Sequence, residues 1–424
     1  MDKEIVLKAL KSEIERSVGC TDPGAVCLAV YRAAQALGCK PERVAVTVSS
    51  SVYKNGINVG VPGTGMRGLH IAAALGAVLD HGDRGLAMLD GATENDIKSA
   101  ISMVSGDSIT IGHIETTDPL YIKALATAGD NNAYAIITGD YTNVVEVALN
   151  GRIIYSSPAV KAETAQAALK GHTLAELFAT IETMTVDDLD FLLEAAEINR
   201  QAAYAGLASP SSRLGKGLSS MTEDMPAPFA AYTHAQQLTA AACEARMSGM
   251  QVPVIAIAGS GNHGIANFLG VLASAEALGR SRDQLARALA ISSLVTVVIK
   301  GYSMRLSAFC GCAVSASAGV AAGVTYLLGG SYEDSVHAMQ SVIGTLAGMV
   351  CDGAKESCAF KLSSSVALAV QFSYLALDGA YIPSGMGMLG STIEKTFENL
   401  GQLNNPGMVA ADRLLLNMIA GRPA

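Results

Sequence analysis

From about Thr173 onward the apolar side chains recur at helical spacing, through segments as long as Leu189–Leu207, Phe229–Met250 and Gln284–Ile299, with almost no strand-like alternation. Side chains three or four apart share one helix face, so such a chain buries helix against helix and builds a nearly all-α unit. The stretch before it follows a different period. Arg43–Val52 alternates apolar and polar residues as a half-buried strand does, and Ser108–Glu115, Leu120–Ala126, Ala133–Thr138 and Asn143–Leu149 follow between turns marked by Gly, Asp and Asn. Helical spacing over residues 2–18 (Ile5, Leu7, Leu10, Ile14), and a second helix with Pro23 in its first turn running to about Leu37, complete an α+β unit. The period changes between Lys161 and Asp188. The expected organisation is an α+β domain over 1–180 followed by a nearly all-α domain over 181–424, and 424 residues suit two domains of ~100–200 residues each.

Two stretches raise a membrane reading. Met247–Ala275 and Leu306–Tyr332 contain no Asp, Glu, Lys or Arg and are long enough to span a bilayer, in a chain of mean hydropathy +0.33. Both are rich in Ala, Gly and Ser, poor in Leu, Ile and Phe, and lack the aromatic belts and flanking cations that anchor spans. They read as buried helices, and no membrane role is expected. A net charge of −9 without a Lys/Arg-rich run argues against nucleic acid, whose phosphates need clustered cations. A small-molecule partner fits better; a homo-oligomer is compatible with the sequence, which is otherwise silent on assembly.

The eight cysteines are Cys20, Cys27, Cys39, Cys243, Cys310, Cys312, Cys351 and Cys358. The opening MDKEIVLKAL lacks a basic segment followed by an apolar one, so the chain reads as cytoplasmic. In a reducing compartment grouped thiols point to ligands or catalysts more than to disulfides. The strongest group is FCGC at 309–312 with CDGAKESC at 351–358, about 40 residues further on, enough chain for a helical hairpin to return to the same place. Cys351 and Cys358 are seven apart, two turns on one face of a continuous helix, or joined by a loop at Gly353 and Lys355; either brings the sulfurs together. Small thiols in Ala/Gly-rich helices also serve as plain core residues. If they hold metal, three thiolates fall short of a closed four-ligand shell and leave one position open for Lewis-acid chemistry. Cys310 and Cys312 compete for the third place.

Cys20, in SVGCTDPGAV, stands between two helices. Backbone N–H groups at a helix start favour an anion, which would lower its pKa and suit it to act as base or nucleophile; the charge of Asp22 opposes this, and Thr21 or Asp22 could simply cap the helix. Two Gly-rich loops, GVPGTGMRG at 60–68 and AGSGNHGIAN at 258–267, can bring backbone N–H groups close to a carboxylate or phosphate, but neither ends as a nucleotide P-loop does. Ser260, Asn262 and His263 stand out as polar groups in an apolar setting. The other histidines show no ligand spacing.

At these residues the sequence resembles the L-cysteine desulfidase family, itself related to the iron–sulfur serine dehydratases. The resemblance covers nearly the whole chain, through GCTDPGA, KNGINVGVPGTGMRG, GSGNHGI, RLSAFCGCAVSASAG and MVCDGAKESCAFKL. It implies the serine dehydratase-like architecture, a [4Fe–4S] cluster held by three cysteines, and an N-terminal cysteine as proton acceptor. Carried over by motif, Cys20 is the base and Cys351 and Cys358 are ligands, with Cys310 as the third because the family spacing to the CDGAK cysteine is about 40 residues; Cys312 fits that spacing almost as well. The serine dehydratases carry a histidine where this chain has GCTDP, a departure that favours thiol elimination over serine deamination. The implied reaction is β-elimination of L-cysteine to hydrogen sulfide, pyruvate and ammonia, with Thr21, Thr64, Asn262 and His263 as candidates for holding the amino acid. An L-serine or L-threonine deaminase with the same cluster, and a cluster-based redox or iron sensor, are the competing expectations.

Overall fold

A computed structural model describes residues 2–116, 118–157, 169, 171–210, 212–219 and 227–421. The chain opens with α1 (Lys3–Glu13), capped by the Asp2 side chain, and then turns into a five-residue strand, β1 (Ile14–Val18). The helix expected over 2–18 is therefore cut short. The reason is tertiary: β1 pairs antiparallel with β8 (Pro253–Ile257), Ile14 opposite Ile257 and Val18 opposite Pro253, so its backbone finds partners some 240 residues away.

After α2 (Thr21–Leu37) come β2 (Arg43–Ser49), α3 (Ser50–Gly56), α4 (Leu69–Val78) and α5 (Glu94–Ser105). The strand expected to reach Val52 stops at Ser49, because the Ser49 hydroxyl accepts from the Val52 N–H and caps a helix in place of further pairing. With β3 (Ile109–Ile114), β4 (Tyr121–Ala128), β5 (Asn131–Thr138), β6 (Val144–Leu149) and β7 (Arg152–Ser156), β2 forms a six-stranded sheet in the order β3-β2-β4-β5-β6-β7. Only the β2–β3 pair is parallel; the remaining neighbours run antiparallel as successive hairpins would. The alternation read from the sequence is physical: Val44, Val46 and Val48 of β2, Ile122 and Ala124 of β4 and Ala135 and Ile137 of β5 are buried in one core with Leu28 of α2 and Leu75 of α4.

The remainder is dominated by helices: α6 (Leu174–Glu182), α7 (Val186–Ala208), α8 (Leu214–Ser219), α9 (Ala227–Met247), α10 (Gly261–Ala277), α11 (Arg282–Ser303), α12 (Ser317–Leu327), α13 (Tyr332–Leu346), α14 (Cys358–Leu377), α15 (Ile393–Gln402) and α16 (Val409–Ala420). They enclose a second core that also takes Val6, Leu7 and Leu10 of α1. The sequence therefore yields a mixed fold with a sheet in the first part and many helices in the second, but its first helix packs with the late ones. Lys161, where the sequence-based boundary region begins, lies outside the described residues. Met247–Ala275 is not one span but the end of α9, the buried strand β8, a turn and α10; Leu306–Tyr332 is likewise broken by loops. Two other helices, α11 and α14, are long and apolar enough to cross a membrane, yet both contribute side chains to the second core.

Candidate active site

Pairing of β1 with β8 does more than join the two parts of the chain. It fixes where two motifs leave the ribbon: because the strands are antiparallel, Gly19 and Cys20 depart at the end where β8 begins, and the Gly-rich turn 258–262 departs at the other end, with the Ala258 N–H bonded to the Glu13 carbonyl. Gly19 has φ +72° and lies so close to Pro62 that a Cβ would sit 2.6 Å from its Cγ, which leaves glycine as the residue that fits. Cys20 follows as the residue preceding the first turn of α2, 4 % exposed, its Sγ 3.7 Å from Asp22 Oδ2. Asp22 is also buried. It accepts from the Tyr141 hydroxyl at 3.5 Å and is hydrogen-bonded to Asn55.

A second pair of segments is pinned together from the other side. Phe309 and Val350 form an antiparallel bridge, in which the Cys310 N–H donates to the Met349 carbonyl and the Cys351 N–H to the Ala308 carbonyl, both at 2.7 Å. Cys310 and Cys351 thus lie diagonally across the bridge, each one residue beyond it. The seven residues from Cys351 to Cys358 are a loop and not a helix: Gly353 has φ +89° and lies over the Lys54 carbonyl, and Cys358 opens α14. Asp352 braces this loop, accepting from Lys355 and Lys361. Burial alone would raise its pKa, but those two hydrogen bonds outweigh it and hold the carboxyl at about 2.

The wall between the two groups is made by the start of α10. His263 is 3 % exposed, and its Nδ1 lies 3.1 Å from the Ile257 carbonyl, which fixes the proton on Nδ1 and leaves Nε2 as a lone-pair nitrogen. Burial, with Lys300 nearby, pushes its pKa down to about 3, so the ring is neutral. Nε2 sits 2.7 Å from where a Cβ on Gly311 would be, which explains the glycine in FCGC: a side chain between the two cysteines would displace the imidazole. Asn262 accepts from the Arg246 guanidinium at 3.0 Å. Lys300, 1 % exposed, donates to Ser307 at 3.3 Å, and burial pulls its pKa down to about 8.

One cavity is lined by Cys20, Thr21, Asn262, His263, Cys310, Cys351 and Cys358, seven of the eight residues singled out from the sequence, together with the competing Cys312. Thr64 is not among its lining residues. Its hydroxyl is spent inside its own turn, donating to the Val61 carbonyl and accepting from the Met66 N–H. The expected low pKa of Cys20 is corrected as well: burial and the neighbouring Asp22 carboxylate push the thiol up to about 12, outweighing the helix start and Arg246. Asp22, pushed up by burial to about 7, accepts the hydrogen bond from the Cys20 thiol. Asn55, Tyr141, Arg246 and Lys300 line the cavity without having been read from the sequence. A lone lysine ending the apolar run SSLVTVVIK was the one signal available for them.

The donor set suits an iron–sulfur cluster. Among the described residues no three His, Cys, Asp or Glu side chains meet at the point one ion would take. In a cluster each thiolate binds its own iron, so the sulfurs surround a volume instead. Here the sulfurs of the FCGC segment and of both ends of the 351–358 loop line one cavity, which the buried Lys300 also lines. Burial raises Cys351 and, to about 12, Cys358, so both thiols are protonated at neutral pH, and binding a metal there would release their protons.

Comparison with known proteins places this site in context. Residues 83–417 match the family model of the serine dehydratase alpha chain. A UPF0597 protein of Methanocella arvoryzae is 63 % identical over 421 residues, 99 % of each chain. UPF0597 proteins of Parabacteroides distasonis (37 % identical; 99 % of this chain and 98 % of that one) and Clostridioides difficile (36 %; 97 % and 98 %) are similar over the same extent.

Proposed function

From a chain that belongs to the serine dehydratase alpha-chain family and to the UPF0597 proteins, we propose a lyase that eliminates the β-substituent of a small amino acid, with L-cysteine as substrate and a [4Fe–4S] cluster on Cys310, Cys351 and Cys358. The observation that carries this reading is the convergence of the buried Cys20–Asp22 pair and the grouped thiols on one cavity. The overall change is L-cysteine plus water to hydrogen sulfide, pyruvate and ammonia. When bound, the cluster supplies a Lewis acid, since one iron lacks a protein thiolate and can take a substrate oxygen or sulfur. Cys310 is favoured over Cys312 because its own N–H is bonded to the Met349 carbonyl, two residues before Cys351.

Cys20 Sγ receives the proton from Cα. A thiol held near 12 is a poor base while protonated, so its activity depends on Asp22 taking that proton first across the 3.7 Å contact. The pair then holds one proton between them, and its titration belongs to both. The Tyr141 hydroxyl, itself hydrogen-bonded to Thr21, donates to Asp22 Oδ1, while Cys20 meets Oδ2. Neutral His263 offers Nε2 as an acceptor for the substrate ammonium, and the buried walls exclude water until elimination is complete.

The test is anaerobic reconstitution with iron and sulfide, followed by assay of sulfide released from L-cysteine. A brown protein that consumes neither cysteine nor serine defeats the lyase reading. A second reading, an L-serine or L-threonine deaminase, draws support from the family match itself; faster pyruvate release from serine than sulfide release from cysteine would select it. Cys20→Ala should abolish turnover and keep the brown chromophore, whereas Cys351→Ala should lose both.

A further inference from the structure

Three cations line the cavity without a part in the mechanism: Lys300, which donates to Ser307, Arg305, which pairs with Glu13 and Asp140, and Arg246. Arg246 sits in the last turn of α9 and is 2 % exposed. A guanidinium carries five N–H donors and cannot shed its charge, so burial demands acceptors and an opposite charge. Among the described residues it has one acceptor, Asn262 Oδ1, a neutral group; its Nε is buried with no partner, and no carboxylate forms an ion pair with it. Asp22, a carboxyl lining the same cavity, is already engaged by Cys20, Tyr141 and Asn55. An unpaired buried cation is costly enough that its retention calls for a partner.

The surroundings fit the partner to a carboxylate. Gly261 lies flat against the guanidinium, where a Cβ would be 2.4 Å from Nε, and so allows the group to reach the first turn of the 17-residue helix α10. The positive end of that helix and the arginine thus face the same cavity as Cys20 and the cluster thiols. We propose that Arg246 binds the α-carboxylate of the substrate, and that the site therefore selects free α-amino acids over esters and over amines lacking the carboxylate. This rests on the lyase reading for the identity of the bound acid, but not for the binding of a carboxylate.

The experiment uses reconstituted enzyme, Arg246→Gln and Arg246→Lys, and two dead-end probes: 3-mercaptopropionate, which keeps the carboxylate and thiol, and cysteamine, which keeps the amine and thiol. Loss of charge-assisted hydrogen bonds should raise KM for L-cysteine about 10- to 100-fold in Arg246→Gln with the chromophore unchanged, and Arg246→Lys should recover part of it. Inhibition by 3-mercaptopropionate, and the thermal stabilisation it gives, should weaken by the same factor while those of cysteamine stay constant. The proposal is overturned if both probes are affected equally, if KM moves less than about twofold, or if the variant's defect is a lost chromophore with KM intact, which would make Arg246 a counter-ion for the cluster. Should wild type turn over neither cysteine nor serine, the lyase reading falls alone, and the melting shift with 3-mercaptopropionate against cysteamine still decides the role of Arg246. If Arg246→Gln fails to fold, the comparison of the two probes on wild type and Arg246→Lys decides it.

Discussion

Asp22 shows how one side chain can join stability to chemistry. Its carboxyl is raised from 3.8 to about 7 because burial disfavours the charged form, despite hydrogen bonds from Asn55 and Cys20. Between those two pH values the folded protein holds a proton that the unfolded chain has lost, so stability falls as pH rises from about 4 to about 7 and levels above it. Asp22→Asn should flatten that slope in urea titrations and raise the melting temperature at pH 8. The same substitution removes the proton acceptor of Cys20, and kcat should fall by about 10²-fold or more with little change in KM. Gly311→Ala tests the opposite wall: a methyl 2.7 Å from His263 Nε2 should cost about 1–3 kcal/mol in denaturant unfolding and lower activity by moving the imidazole. The residues that carry reactive atoms in distinctive motifs were legible in the sequence, as Cys20, His263 and the CDGAKESC thiols illustrate. Asp22 reads there only as a cap or an opposing charge, and nothing in the sequence singles out Arg246, because what sets both apart is burial, which a motif does not record.

Among the elements, the loop from Cys351 to Cys358 is the one on which the proposed cluster site depends. Its shape is set by Gly353 at φ +89° and by Asp352 between Lys355 and Lys361, not by helical hydrogen bonds. Asp352→Asn keeps the volume and removes both ion pairs. It should lower the yield of brown chromophore on reconstitution several-fold while leaving the far-UV circular dichroism unchanged, since the helices on either side do not depend on it. Long elements with many turns, such as α7 and α11, follow from periodicity because each residue repeats the same signal. The short strands β1 and β8 do not. Each is five residues long, and Ile14 continues the helical spacing of Ile5, Leu7 and Leu10, so nothing local marks the point where the chain leaves the helix. The pairing that makes them strands lies outside any local window, since its partners are some 240 residues apart.

In the whole molecule, the sheet-containing part and the helical part are tied by contacts that cross between their cores. Arg305 pairs with Glu13, at the end of α1, and with Asp140, beyond β5. Lys54 of α3, 3 % exposed, pairs with Asp412 of α16, whose side chain is 24 % exposed. The asymmetry of that last pair allows a sharp test. Asp412→Asn strands a buried ammonium and should cost about 3–5 kcal/mol in urea unfolding, because a buried charge that loses its partner keeps the whole desolvation penalty. Lys54→Met leaves the more exposed carboxylate free to turn to water, so its cost should be smaller. The double variant Lys54→Met with Asp412→Asn should recover most of the loss, and the cycle should return a coupling of roughly 1 kcal/mol or more. The consequence reaches the active site. The Lys54 carbonyl lies under Gly353, and its ammonium faces Cys351, so a tether made by the C-terminal helix also supports the loop of cluster ligands. Asp412→Asn should therefore lower chromophore yield in step with stability, whereas the double variant should recover stability more fully than chromophore, having lost the cation beside Cys351.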